Sequence, residues 1–289
     1  MVRVVDIMLT GIDLIHSIII GVVQGISEWL PISSKTQIII ASEYLQHLTY
    51  SEAYTFGLFM EIGTVFAAII YFRKDIITLI NALLGRSNRY GKNLLIYVVV
   101  ATVMTGIIGV PLYLVADSIH GIAAGIPMLI IGFVLIGDAI LIRHSRKRAK
   151  SKNLKKFENL KTRDYFILGG VQGIAALPGV SRSGITTSAL LLMGTEPDEA
   201  FRLSFLIGIF ASAAAAAMTI IISKGNVIAS LAGIGTVGLI IAMVVAIIVS
   251  LFLIDFLIKV AGKAKIVYVT AGLGILAISF GLVYLILHI

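Results

Sequence analysis

The stretch GVVQGISEWLPISSKTQIII, from Gly21 to Ile40, decides how this chain is read. Its two ends are apolar. Its middle gathers Gln24, Glu28, Ser33, Ser34, Lys35, Thr36 and Gln37 around Pro31, a residue that breaks helices. A second stretch, GGVQGIAALPGVSRSGITTSALLLMG from Gly169 to Gly194, has the same form. Gln24-Gly25-Ile26 recurs there as Gln172-Gly173-Ile174. Ser33 stands nine positions after Gln24, and Ser181 nine after Gln172, with Pro31 and Pro178 in between. The chain therefore carries an internal repeat.

The rest of the sequence says where these polar breaks lie. Of 289 residues, 58% are hydrophobic and only 13% charged, against about 25% charged in soluble domains. So little polar surface cannot cover a soluble α-helical protein, and the composition points to a bilayer. The first apolar run continues into the polar motif without an A-x-A-like cleavage site, so a removable signal peptide is not expected. The chain has no cysteine, which excludes disulfides and thiolate chemistry.

Six segments have the length and apolarity to span: 52–72, 93–116, 122–143, 198–223, 229–258 and 266–288. The pairs 10–30 with 36–47, and 165–177 with 183–194, read differently. Each is two short halves around a polar break, the pattern of a hairpin that dips into the membrane and returns. With that topology, the loops 73–92, 143–163 and 259–265 share one face and hold eighteen of the twenty-three Lys and Arg residues. The positive-inside rule places that face in the cytoplasm and the N-terminus outside. The basic run RHSRKRAKSKNLKK, beside a span, reads as an orientation signal and not as a nucleic-acid patch. The first hairpin then enters from outside and the second from the cytoplasm, so the repeat is inverted. The expected architecture is an all-α integral membrane domain over residues 1–289. It comprises a first repeat 1–121 with hairpin 10–47, a connecting span and basic loop 122–164, and a second repeat 165–289 with hairpin 165–194.

The two breaks carry the chemistry. Gln24 and Glu28 are four residues apart and share a helix face. A carboxylate inside a membrane is costly and marks a functional site by default. Ser33 and Ser34 follow Pro31 where the next helix begins, a position also suited to plain N-capping. In PGVSRSG, Gly179 and Gly184 allow close backbone approach, and Ser183 opens a helix whose free N–H groups favour anions. Arg182 adds a guanidinium that can fork onto phosphate oxygens, or could form a structural ion pair with Glu28. Together they suit phosphoester chemistry on a lipid. Glu28 would act as base or metal ligand, Ser34 as nucleophile and Arg182 as phosphate binder. Lys35 could bind a diphosphate or snorkel to a headgroup. Glu61 lies mid-span and either faces the cavity or does not. Asp255 and Lys259 can pair at the interface, Asp138 lies near the basic end of its span, and the histidines read as interfacial or loop residues.

These residues resemble a known family. GVVQGISEWLPISS and PGVSRSG are similar to the two signature motifs of the undecaprenyl-diphosphate phosphatase family, the bacitracin-resistance type of membrane phosphatase. FGLFMEIGTVFAAIIYFRK from Phe56 to Lys74, LLLMG and FRLSFLIG resemble it too, so the likeness runs in order along nearly the whole chain. The resemblance implies interlocked inverted repeats, six spanning helices and two re-entrant hairpins in the plasma membrane. It implies removal of the terminal phosphate from an undecaprenyl-type diphosphate, at a site open to the outer face. By motif position it makes Gln24 and Glu28 the acidic pair, Ser34 the nucleophile and Arg182 the phosphate binder. Ser33, Lys35, Gln37, Ser181, Ser183 and Gly184 would contact substrate. The family commonly continues Ser-Ser-Thr-Gly-His, and here Gln37 stands at the His position. Glutamine carries no proton near neutrality, so Glu28 or a metal-bound water would have to act as base, or the chain is not a phosphatase. The expected partners are a polyprenyl diphosphate and the bilayer, with Mg or Ca as the candidate cation, a homodimer left open and no nucleic acid. A flippase for a phosphorylated polyprenyl lipid is the competing reading, because inverted repeats with broken helices also build transporters.

Overall fold

The computed structural model describes residues 11–118, 125–148, 154–177, 179–222, 224–261 and 266–288. Among these residues the chain forms eleven α-helices. They are α1 (Gly11–Ser27), α2 (Ser34–Gln46), α3 (Tyr50–Tyr71), α4 (Arg73–Leu83), α5 (Arg89–Ser118) and α6 (Gly125–Arg148). After a short 3-10 turn at Phe157–Asn159 come α7 (Thr162–Ile174), α8 (Arg182–Leu192), α9 (Pro197–Ile222), α10 (Lys224–Ala261) and α11 (Ile266–His288).

Local sequence sets the helix ends. α1 stops at Ser27 and the chain turns through Pro31 before α2 starts at Ser34. α7 stops at Ile174, and α8 starts at Arg182 on an N-cap supplied by Ser181, whose Oγ accepts from the Gly184 N–H at 3.2 Å. The helix thus opens one residue before Ser183, where the sequence pattern puts it, because the Ser181 hydroxyl takes up the free donor. Pro178 and the first ten residues, including the start of hairpin 10–47, lie outside the described residues. α3 begins with a capping box, in which the Thr49 N–H donates to Glu52 Oε2 at 2.9 Å.

Five helices are long and apolar enough to cross a membrane among the described residues: α3, α5, α9, the part of α10 from Gly235, and α11. In α6 the described apolar stretch is Met128–Ile140. In α10 Gly235 takes φ 71° and interrupts the helix. Wide exposed apolar faces remain, including Phe133, Ile221, Phe252 and Tyr268. With no water in the hydrocarbon to satisfy a backbone, helices that close their own hydrogen bonds and show such faces suit lipid. The protein is a multi-pass all-α membrane protein.

Small residues bring the breaks to the interior. Gly21 and Gly25 of α1 lie against α10, where an added Cβ would come within 2.4 Å of the Ala242 carbonyl oxygen and 2.9 Å of that of Ala246. Gly169 and Gly173 of α7 lie against α5 in the same way, 2.4 Å from the Ala101 carbonyl oxygen and 2.6 Å from Ile108 Cβ. Glycines four apart let helices in membranes approach to backbone contact. Between these pairs run α3 and α9, which pack on each other, and α3 is the most enclosed of the spans. Trp29, in the first break, meets Phe205 of α9 edge to face at 4.9 Å. Tyr54 of α3 donates to the Ala176 carbonyl in the second break at 2.8 Å. A Cβ on Gly184 would sit 2.8 Å from Pro31 Cβ, so the two breaks touch.

Candidate active site

Glu28 is the centre of the site. It lies one residue past the last turn of α1, and its carboxylate is buried. The Ser34 hydroxyl donates to Oε2 at 2.7 Å and the Gln24 amide to the same oxygen at 3.1 Å. Arg182 Nη2 donates to Oε1 at 2.6 Å, and Ser212 Oγ of α9 stands 3.5 Å from it. Three segments distant in sequence therefore converge on one carboxylate. A serine hydroxyl within hydrogen-bond reach of a carboxylate is the geometry of a nucleophile beside a base.

The turn that presents Ser34 is strained. Ser33 takes φ 57° and ψ 94°, a region that non-glycine residues rarely occupy. It stands at the N-cap position of α2 but its side chain caps nothing. Its Oγ instead accepts from Thr36 Oγ1 at 3.1 Å. Gln37 donates its amide to the Ile32 carbonyl at 3.0 Å, so in this structure it braces the turn from below. Ser181 and Ser183 each donate to the Leu30 carbonyl at 3.2 Å, stitching the second break to the first.

Arg182 has one hand engaged and one open. Nη2 is held by Glu28, the guanidinium carbon lies 5.8 Å from the Trp29 ring centre, and Nη1 is buried with no hydrogen-bond partner among the described residues. The room for it comes from Gly208 of α9, where an added Cβ would fall 1.3 Å from Nη1. Beside these groups opens a cavity of about 110 Å³, bounded by Arg182, Lys35, Glu61, Gln172, Ser212 and the α5 face around Thr105. Lys35 is buried and turned inward, 3.6 Å from Glu61, so it does not snorkel to a headgroup. Glu61 faces the cavity.

The motif residues thus lie together: Gln24, Glu28, Ser33, Ser34 and Lys35 from one break, and Ser181, Arg182, Ser183 and Gly184 from the other. Gln172, the repeat partner of Gln24, donates to Thr105 Oγ1 at 2.9 Å and leaves Oε1 at the cavity with no partner among the described residues. Ser212, Gly208, Thr105 and the Leu30 carbonyl complete the site without any signal in the motifs. One sequence clue does exist for Gly208. It follows Arg182 by twenty-six positions, as Glu61 follows Lys35, and both cations follow their prolines by four. The remaining charges are outside this centre. Asp255 and Lys259 pair at 2.6 Å on the exposed surface. Asp138 is buried in α6, and Arg202 joins Asp75, Glu199 and Tyr90.

No group of three or more metal-ligating side chains occurs among the described residues. What is present is a hard oxygen set, the carboxylates of Glu28 and Glu61 with the unpartnered Gln24 Oε1. Mg and Ca use such oxygens, and Mg commonly takes one or two carboxylates and completes its shell with phosphates and water.

Comparison with known proteins shows the family. The family model described as Bacitracin resistance protein BacA matches residues 17–279. A curated relative from Saccharolobus solfataricus, named undecaprenyl-diphosphatase, is 48% identical over 266 residues, covering 92% of this chain and 94% of its own. Relatives of the same name from Sulfurisphaera tokodaii and Pyrobaculum aerophilum are 44% and 40% identical, over 92% and 95% of this chain and 96% and 99% of theirs. Identity at this level along almost the entire length of each relative leaves one conclusion: the chain belongs to the bacitracin resistance protein BacA family.

Proposed function

We propose that this protein is an undecaprenyl-diphosphatase-type enzyme, an integral-membrane hydrolase that removes the terminal phosphate of a polyprenyl diphosphate and leaves the monophosphate lipid. The observation that carries the reading is the Glu28 carboxylate, 2.7 Å from the Ser34 hydroxyl and 2.6 Å from the Arg182 guanidinium, beside an intramembrane cavity. The family and the names of its relatives point the same way.

In this mechanism Glu28 Oε2 takes the Ser34 proton as Oγ attacks the terminal phosphorus. The P–O bond to the inner phosphate breaks and the prenyl monophosphate leaves. Water then attacks the phosphoserine, delivering inorganic phosphate and restoring Ser34. Arg182 Nη1 meets a phosphate oxygen, where positive charge fixed in advance counts most. Ser33, Ser181, Ser183, Gly184 and Gln24 hold the two turns in register, and Gln37 supports the Ser33 turn in place of a titrating group. A divalent cation, when bound, would be held by Glu28 with Gln24 and would neutralise phosphate charge.

The broken pairs α1/α2 and α7/α8 are read as re-entrant hairpins of an inverted repeat, with α6 as the sixth span and the plasma membrane as its setting. The basic loops then face the cytoplasm and the site faces outward. The test is phosphate release from farnesyl and undecaprenyl diphosphate by purified protein in detergent, with and without Mg or Ca. Release supports the hydrolase. Binding of both lipids with no release under any cation would favour the flippase.

A further inference from the structure

The cavity holds a second ion pair that the reaction above does not use. Lys35 in the first turn of α2 and Glu61 in the middle of α3 are both buried, and they approach only to 3.6 Å. A charge-assisted N–H···O bond is normally about 2.7–2.9 Å. Among the described residues the Lys35 ammonium has no hydrogen bond at all. The other pair is tight, with Arg182 2.6 Å from Glu28. The two cations hold matching places, each four residues after its proline at the start of a helix. The anions do not match, because Arg182 has Gly208 where Lys35 has Glu61.

Charge explains what this asymmetry does. Glu28, Glu61, Arg182 and Lys35 sum to zero, and an unpaired charge buried in a membrane is costly. A diphosphate brings two anionic phosphates into that neutral site. Arg182 lies beside Ser34 and Glu28, so it meets the terminal, reacting phosphate. The inner phosphate, which carries the prenyl chain and departs with the charge of the broken bond, needs a second cation. Lys35 is the buried one that is loosely held. The start of α2 adds free backbone N–H groups on the same side.

We infer that Lys35 and Glu61 form an exchangeable ion pair. Glu61 holds the ammonium in the empty site, surrenders it to the inner phosphate of the substrate, and reclaims it as the monophosphate leaves. Lys35 then holds the phosphate that bears the prenyl chain, in substrate and product alike, and Glu61 is a positioning residue that sets how tightly the lipid is held. This rests on the phosphatase reading for the orientation of the substrate, but its core is a statement about binding.

The test uses binding of farnesyl methylenediphosphonate, which is not hydrolysed at its bridging carbon, and of farnesyl monophosphate to the full-length protein in detergent. Lys35→Met is expected to weaken the diphosphonate and the monophosphate alike, each at least tenfold. Glu61→Gln is expected to act in the opposite direction, tightening both ligands several-fold and lowering KM and kcat together as product lingers. Lys35→Arg should keep most of the affinity, and serves if Lys35→Met does not fold. A purely structural pair predicts another pattern, with both single variants less heat-stable, the double variant restored and no change in affinity for either lipid. That pattern, weaker binding by Glu61→Gln, or a parent protein that does not bind the diphosphonate overturns the inference. Phosphate release from farnesyl diphosphate is measured in parallel. No release with the opposed affinities intact removes the phosphatase reading alone, and release with unaltered affinities removes the ion-pair exchange alone.

Discussion

At the scale of single residues, the account depends on the guanidinium of Arg182 having a partner and a vacancy at once. Arg182→Ala removes both, and should lower kcat/KM by about 10²–10³-fold or more, as losing one transition-state donor does elsewhere. Arg182→Lys keeps the charge but not the planar fork and should recover only part of that loss. If Arg182 and Glu28 were merely a structural pair, each single variant would melt early and the double variant would recover. Gly208→Ala tests the vacancy without touching the charge. Its Cβ would overlap Nη1, so the guanidinium must move, and activity should fall at least tenfold while the melting temperature changes little. Full activity in Gly208→Ala would mean that Nη1 is not where the phosphate is met. Residue identity at the motifs was legible in the sequence, because an acid, two hydroxyls and an arginine are conspicuous among Ile, Val and Leu. Ser212 was not, because a serine in a membrane helix serves ordinary packing as often as anything else, and Gly208 was so only through its spacing from Arg182.

At the scale of elements, the broken helices are held by close approach of backbones, α1 on α10 and α7 on α5. Gly21→Leu and Gly169→Leu would each press a branched side chain onto a carbonyl oxygen of the neighbouring helix. Overpacking of this kind costs about 1–3 kcal/mol. Both variants should therefore lower the melting temperature in detergent, and lose activity only as far as they lose fold. A variant that melts like the parent would show that these contacts do not hold the breaks in place. The break positions were legible, since Pro31 and the polar run cannot continue an apolar helix. The helix starts were less so: Ser181, not Ser183, caps α8, because either serine fits the pattern and only the direction of the Gly184 N–H decides between them. The positive φ of Ser33 had no sequence signal, as nothing in a serine announces that conformation. Lys35 was legible as unusual and its partner was not, since Glu61 lies twenty-six positions away on another helix.

At the scale of the whole molecule, composition pointed to the bilayer, and the proposed topology, which would put eighteen of twenty-three basic residues on one face, gives an orientation to test. Lys161, exposed just before α7, should lie in the cytoplasm. A cysteine introduced there, in a chain that has none of its own, should resist a membrane-impermeant thiol reagent in intact cells and react after permeabilisation. Labelling in intact cells would reverse the orientation. The convergence of α1, α2, α7, α8, α3 and α9 on one cavity could be inferred from the repeat only as a tendency, because pairing of distant helices is set by their packed faces and not by any local pattern.

The central claim is that Glu28, Ser34 and Arg182 form one phosphoryl-transfer site. Its most direct test is the rate of inorganic phosphate release from farnesyl diphosphate by the parent, Glu28→Gln and Ser34→Ala proteins, each checked for an unchanged melting temperature. The account predicts release by the parent and a fall of at least a hundredfold in both variants, with the diphosphate lipid still bound. Folded Glu28→Gln and Ser34→Ala proteins that release phosphate at the parent's rate would contradict it.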